Sequence, residues 1–306
     1  MRISMPALVA AAACAAACGN TSADPTAPPD LITQARRLDL GGDHDAAATL
    51  YRQALERDPD SFDAHYGLGR ALDLAGSYED ARVHFAKAID LAEDGSKDQA
   101  LRMMGVSWTF SRNAEEAARR FSQVFDRRLL AGNFAGAAEV ANELGRVHLE
   151  LGDPDQAETW YRTGYDTAGR EADRRASQID LAEMRWAHAQ SRIAARRGAA
   201  DEARAHAAAV RQLLDKGGNQ DQEIQYSYLL GYVEFHLGNY DAALAALEQA
   251  DQEDPFILLL EAESSEKLGR GDAAREYFGK VLASTSHAVT NAFARPIASA
   301  RLEDGR

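Results

Sequence analysis

The chain has 306 residues, 45% of them apolar, and carries 34 Lys and Arg against 48 Asp and Glu, a formal charge of −14, with only 2 Cys. Alanine makes up roughly a fifth of it and β-branched residues are scarce, a balance that favours helix and excludes an all-β fold. The acidic balance argues against a nucleic-acid binder, whose affinity draws on cations against phosphates, and the length allows one large or two ordinary domains.

At the N-terminus, Arg2 precedes an apolar run from Ala7 to Ala17. A run that short reads as the hydrophobic part of an export signal and not as a membrane span. The stretch Ala15-Ala16-Ala17-Cys18-Gly19-Asn20 resembles the lipobox of bacterial lipoproteins, where small residues precede a cysteine that is lipidated and becomes the mature N-terminus. The resemblance implies a signal over residues 1–17, lipidation at Cys18 and, with Gly19 after it, an anchor on the periplasmic face of the outer membrane. Ordinary signal-peptidase cleavage after Ala17 or Ala23 is the alternative, giving a soluble periplasmic or secreted protein. Either way Cys14 and Cys18 both lie outside the folded part, which excludes a disulfide, a zinc–thiolate site or a cysteine nucleophile there. Residues 18–29, with Pro25, Pro28 and Pro29, read as a flexible tether.

The remainder repeats. Gly42-Asp43, Ala47, Tyr51, Ala54 and Pro59 recur 34 residues later as Gly76-Ser77, Ala81, Phe85 and Ala88, with Leu68-Gly69 ahead of the turn. The frame returns at Leu144-Gly145, Gly152, Ala157 and Tyr161, and at Leu230-Gly231, Gly238, Ala243, Leu247 and Pro255; weaker copies carry Gly105 and Phe121, Gly198 and Ala203, and Gly269 and Phe278. This pattern resembles the tetratricopeptide repeat, a pair of helices joined by a turn glycine. The resemblance implies an all-α, right-handed superhelical solenoid of about seven hairpins over residues 30–283. Surplus residues near Leu130–Gly136 and Gly169–Ser177 imply long first helices in repeats four and five. The last hairpin needs a cover, and Val289, Phe293 and Ile297 at helical spacing predict a capping helix within residues 284–306, with Pro296 bending it or starting its second half.

No catalytic or metal-binding motif is present: the chain lacks HExxH, a phosphate-cradling glycine loop, GxSxG and paired-cysteine zinc spacing, and its 8 His are scattered along the repeats. The reading is therefore a protein without enzymatic activity, cofactor or metal. In the resembled class the first helix of each repeat lines the concave face. The ninth position of the period, which points into it, reads Arg36, Arg70, Val106, Arg146, Arg192, Tyr232 and Glu263. Asp39, Asp73, Glu143 and Glu150 lie along the same helix faces as Arg36, Arg70 and Arg146, so those three cations either hold neighbouring acids or face a ligand. Arg192 has Arg185, His188 and Arg196 as same-face neighbours and no acid at helical spacing, which predicts a bare positive stripe. The next repeat offers Tyr228, Tyr232 and Phe235 beside it, either as ligand contacts or as packing against adjacent helices. Basic beside aromatic is the composition of a hot spot for an extended peptide or a carboxylate-bearing ligand.

Two functions follow. One is a non-enzymatic envelope scaffold holding a partner's peptide or helix along a groove that includes Arg70, Asn142 and Arg146; the other is a small anionic solute or glycan site confined to repeats five and six. Nothing in the pattern sets an oligomeric state.

Overall fold

The computed structural model describes residues 30–304; the signal, Cys18 and the tether lie outside the described residues. Within them the chain forms fifteen α-helices, a short 3₁₀ turn at Gln220–Gln222 and no strand. They pair as seven hairpins: α1 (Leu31–Leu40) with α2 (His44–Arg57), α3 (Phe62–Leu74) with α4 (Tyr78–Leu91), α5 (Asp94–Phe110) with α6 (Ala114–Leu130), and α7 (Phe134–Glu150) with α8 (Pro154–Ala168). Then follow α9 (Ala176–Arg196) with α10 (Ala200–Leu214), α11 (Glu223–His236) with α12 (Tyr240–Leu247), α13 (Pro255–Lys267) with α14 (Gly271–Ala283), and a last helix, α15 (Val289–Asp304).

Each hairpin is built from a few local choices. A polar side chain caps the second helix, as Asp43 and Asp153 accept from the amides of Ala46 and Gln156. The turn before the cap needs a positive φ, supplied by glycine at Gly76 (φ 87°) and Gly152 (φ 102°); the third hairpin places Arg112 there instead, at φ 55°. The repeated alanines Ala47, Ala81, Ala117, Ala157, Ala203 and Ala243 are all fully buried. They let the two helices close up, and the Leu-Gly pair lets the aromatic of the second helix lie across the first: a Cβ at Gly145 would meet the Tyr161 ring at 2.8 Å. The surplus residues go only in part to the first helices of repeats four and five: α7 has 17 residues and α9 has 21, while the rest lengthens α6, the second helix of repeat three, to 17 residues and forms a loop over residues 169–175.

The cap does more than cover. Val289 and Phe293 bury against the end of the solenoid, with Phe256 of α13 edge-on to Phe293 at 5.7 Å, and Pro296 sits within an unbroken helix. The same segment crosses the inner side of the superhelix and docks on the second and third repeats. His287, just before α15, donates from Nε2 to Asp73 Oδ2 at 2.7 Å, and Ser107 donates to the other carboxylate oxygen at 2.9 Å. The His287 ring lies between those of Phe85 and Phe110, 5.5 and 5.6 Å away. Arg295 donates from Nε to the Leu74 carbonyl at the end of α3 and from Nη1 to the Leu282 carbonyl at the end of α14, both at 2.8 Å, stitching the two ends together. The expectation of a groove open along all the repeats is thereby corrected: α15 touches α5, α7 and α13, and the segment from His287 to Arg295 covers Asp73 and Leu74 at the end of α3 and packs along α5.

Candidate functional site

Beside the start of α15, the first helices of repeats four, five and six converge on a cavity of about 500 Å³. Six of the residues singled out in the sequence line it: Asn142 and Arg146 from α7, Arg185, His188 and Arg192 from α9, and Tyr228 from α11. The reason is helical register, since each recurs at the inward-facing positions of consecutive first helices. Arg102 of α5, Arg128 of α6, Tyr161 of α8, Val289 of α15 and the carboxylates of Glu139 and Glu143 are also in the walls.

The charge pattern inverts the sequence reading. Arg192 and Arg196 are not bare: Glu150, at the end of α7, lies 3.9 Å from Arg192 Nη1 and accepts from Arg196 Nη1 at 3.3 Å and from the Tyr232 hydroxyl at 3.3 Å. Arg192 also donates from Nη2 to the Tyr161 hydroxyl at 2.6 Å and is only 6% exposed. Arg146, by contrast, keeps neither of its expected acids. Glu143 is held by Arg102 through two hydrogen bonds at 2.8 and 2.9 Å, and Glu150 by α9. Arg146 lies instead near the rings of Phe256 and Tyr228, at 5.2 and 5.7 Å. Arg36 and Arg70 likewise pair between helices, with Asp63 at 3.8 Å and Asp39 at 3.6 Å, and Arg70 has no place in the cavity. The aromatic stripe divides too: Tyr228 lines the cavity, Tyr232 is fully buried behind it, and Phe235 packs edge-on to His236 and Tyr240.

Burial sets the protonation states. Desolvation, with the nearby guanidinium groups of Arg192 and Arg146 adding to it, holds His188 well below the usual histidine range despite its hydrogen bond to the Gln225 backbone, so the ring is neutral. Burial pushes the Tyr161 hydroxyl up to about 12 against the pull of Arg192. Four buried polar atoms of the lining have no partner: Arg146 Nε, Arg192 Nε, His188 Nε2 and the Tyr228 hydroxyl. Such atoms cost free energy unless something pairs with them. The chamber is a place to hold a polar group. Among the described residues no three His, Cys, Asp or Glu side chains gather as metal ligands would, and no helix is long and apolar enough to cross a membrane.

Sequence reasoning missed Tyr161 and Glu150. Tyr161 occupies the aromatic position of the repeat, and its hydroxyl, which phenylalanine lacks there in repeats two and three at Phe85 and Phe121, was the available signal. Glu150 pairs across a gap of 42 and 46 residues, which a search along one helix does not reach.

The tetratricopeptide repeat profile matches residues 32–96, 110–173 and 204–256. Among solved structures the chain is similar to PilF from Pseudomonas aeruginosa, at 20% identity over 72% of this chain and 88% of that one, with a TM-score of 0.44. It is also similar to a tetratricopeptide repeat protein from Parabacteroides merdae (14% identity, 87% and 96% covered, TM-score 0.49) and to the apo form of RapI (11%, 88% and 98%, TM-score 0.51). These likenesses bear on fold alone. No curated protein sequence matches the chain.

Proposed function

Because the chain belongs to the tetratricopeptide repeat family, whose members serve as interaction scaffolds, we propose that it is a non-enzymatic scaffold of the cell envelope that holds a segment of another protein in the chamber between α7, α9 and α11. The observation that carries this is the convergence of Asn142, Arg146, Arg185, His188, Arg192 and Tyr228 on one cavity with four buried polar atoms left unpaired. A fold maintained at that cost around an open cavity is built to receive something. The envelope address rests on the apolar run and on Cys18, with a lipid anchor as the only membrane attachment.

The packing of α15 against α5 and α7 also favours a second reading, a compact anionic solute, because that helix interrupts the path of a ligand along the first helices. A photo-crosslinking residue at Asn142, compared with one at the exposed Val83, separates the two in intact cells. The scaffold reading expects a protein adduct from position 142 alone. Equal adducts from both positions, or none from 142, would sink it. The anchor is checked by fatty-acid labelling, which Cys18→Ser should abolish.

A further inference from the structure

Another cavity, of about 330 Å³, opens where the two ends of the superhelix meet, and it shares no lining residue with the inner one. Its walls come from the turn into α2, the turn into α4, the end of α14 and the middle of α15. Three side chains there keep a polar atom without a hydrogen bond. Arg295 spends Nε on the Leu74 carbonyl and Nη1 on those of Leu282 and Ser284, which leaves Nη2. The Tyr78 ring stacks on Phe110 at 5.5 Å, and its hydroxyl has no partner. His44 donates from Nδ1 to Asp39 at 2.8 Å, so Nε2 is left, an acceptor in the neutral ring. All three atoms are open to solvent and not sealed in the packing. His44 as a whole is only 7% exposed, so its ring is held in place.

The charges of the lining are mixed. Among the described residues no carboxylate lies within ion-pair distance of Arg295; burial pulls its pKa below the ordinary arginine value, and only Tyr78 acts against that. On the α2 side stand two acids, Asp43, which spends one oxygen capping the helix, and Asp45, whose carboxylate is exposed and unpaired. We infer that this cavity binds a small zwitterion, a molecule carrying both a primary ammonium and a carboxylate, of the class of a free amino acid or a dipeptide. The carboxylate takes Arg295 Nη2 and the Tyr78 hydroxyl, and the ammonium donates to His44 Nε2 beside Asp43 and Asp45. A lone anion would meet the two aspartates and a lone cation would meet Arg295, so an ion of one sign is opposed where a zwitterion is matched. Because the walls join the first two repeats to α14 and α15, an occupant adds a bridge beside the Arg295 stitch and holds α15 down.

The test uses the full chain with isotope-labelled histidine and arginine, following the His44 ring nitrogens and the Arg295 guanidinium by NMR. The probes are L-alanine and L-alanyl-L-alanine, with L-alaninamide as the cation alone and N-acetyl-L-alanine as the anion alone. At least one zwitterion should move both resonances, and which of them does so reports the span between the charges. Each one-charge analogue should bind at least about tenfold more weakly than the better zwitterion. Tyr78→Phe keeps the stack on Phe110 and should weaken the zwitterion about fivefold. Asp45→Asn should weaken it about threefold and leave N-acetyl-L-alanine no weaker. Hydrogen exchange in α15 should slow when the zwitterion is bound. Equal binding by either one-charge analogue, no movement of either resonance with both zwitterions, or binding undiminished in both variants overturns the assignment. Crosslinking from position 142 reads the inner cavity, so the scaffold reading stands or falls apart from this one.

Discussion

Around Asp73 the inner side of the superhelix is complete. The carboxylate is fully buried, His287 and Ser107 occupy both its oxygens, and Arg295 nearby takes the end carbonyls of α3 and α14. Around Arg146, two repeats further on, residues of the same chemical types are left with free atoms: two guanidinium Nε groups, a histidine nitrogen and a tyrosine hydroxyl. The first region shows what this chain does when buried polarity is structural, which is to bring its own C-terminal segment across the superhelix to satisfy it. The second meets that segment only at Val289, which lines the cavity and pairs with none of its polar atoms. The contrast separates a docking surface already filled by the chain from one that is free.

The largest expected effect is at the filled surface. His287→Ala strands a buried Asp73 without its hydrogen-bond donor, and should lower unfolding free energy by about 3 kcal/mol in urea titration. Limited proteolysis should then cut between α14 and α15. Asp73→Asn combined with His287→Ala should recover part of that loss, since it is the unpaired charge that is expensive.

At the free surface two neighbouring arginines should part company. Arg192→Met removes the partner of Tyr161 and half the neutralisation of Glu150, and should cost about 2 kcal/mol. Arg146→Met removes a cation with no acid within ion-pair distance and leaves an apolar chain among Tyr228 and Phe256, so stability should stay within about 0.5 kcal/mol of the parent. An equal loss from both would erase the distinction between the two regions.

Glu261 of α13 offers a pH test. Burial raises its pKa to about 7 against the hydrogen bond from Gln252. Below the ordinary carboxylate range the group is protonated folded or unfolded and makes no difference. From there up to about pH 7 it is ionised only when unfolded, so stability falls with rising pH and then levels off. Glu261→Gln should therefore be neutral in acid and stabilising by about 1 kcal/mol above neutrality, read from melting curves across pH. The smallest effect is at the third turn, where Arg112→Gly should relieve the positive φ and add about 0.5 kcal/mol.

The hairpins were legible in the sequence because their contacts are local. Gly145 meets Tyr161 within one repeat, and alanines such as Ala157 and Ala203 mark the close approach every time. The inward-facing register was legible for the same reason, and it gathered six of ten candidate residues. What escaped was every pairing between repeats. Arg192 looked bare because Glu150 comes from the preceding first helix, and Arg146 looked paired because its neighbouring acids bend to Arg102 and Arg196. The landing of α15 escaped for a stronger form of that reason: His287 meets Asp73 and Arg295 meets Leu74 across more than two hundred residues, and no periodicity encodes such a contact.

Arg146 is the cation that the fold leaves with no acid within ion-pair distance beside an open chamber. The direct measurement is the yield of protein adduct from a photo-crosslinking residue at Asn142 in cells carrying Arg146→Met, at matched levels of folded protein. A fall of about tenfold or more with an unchanged melting transition is the predicted result; an undiminished yield would contradict it.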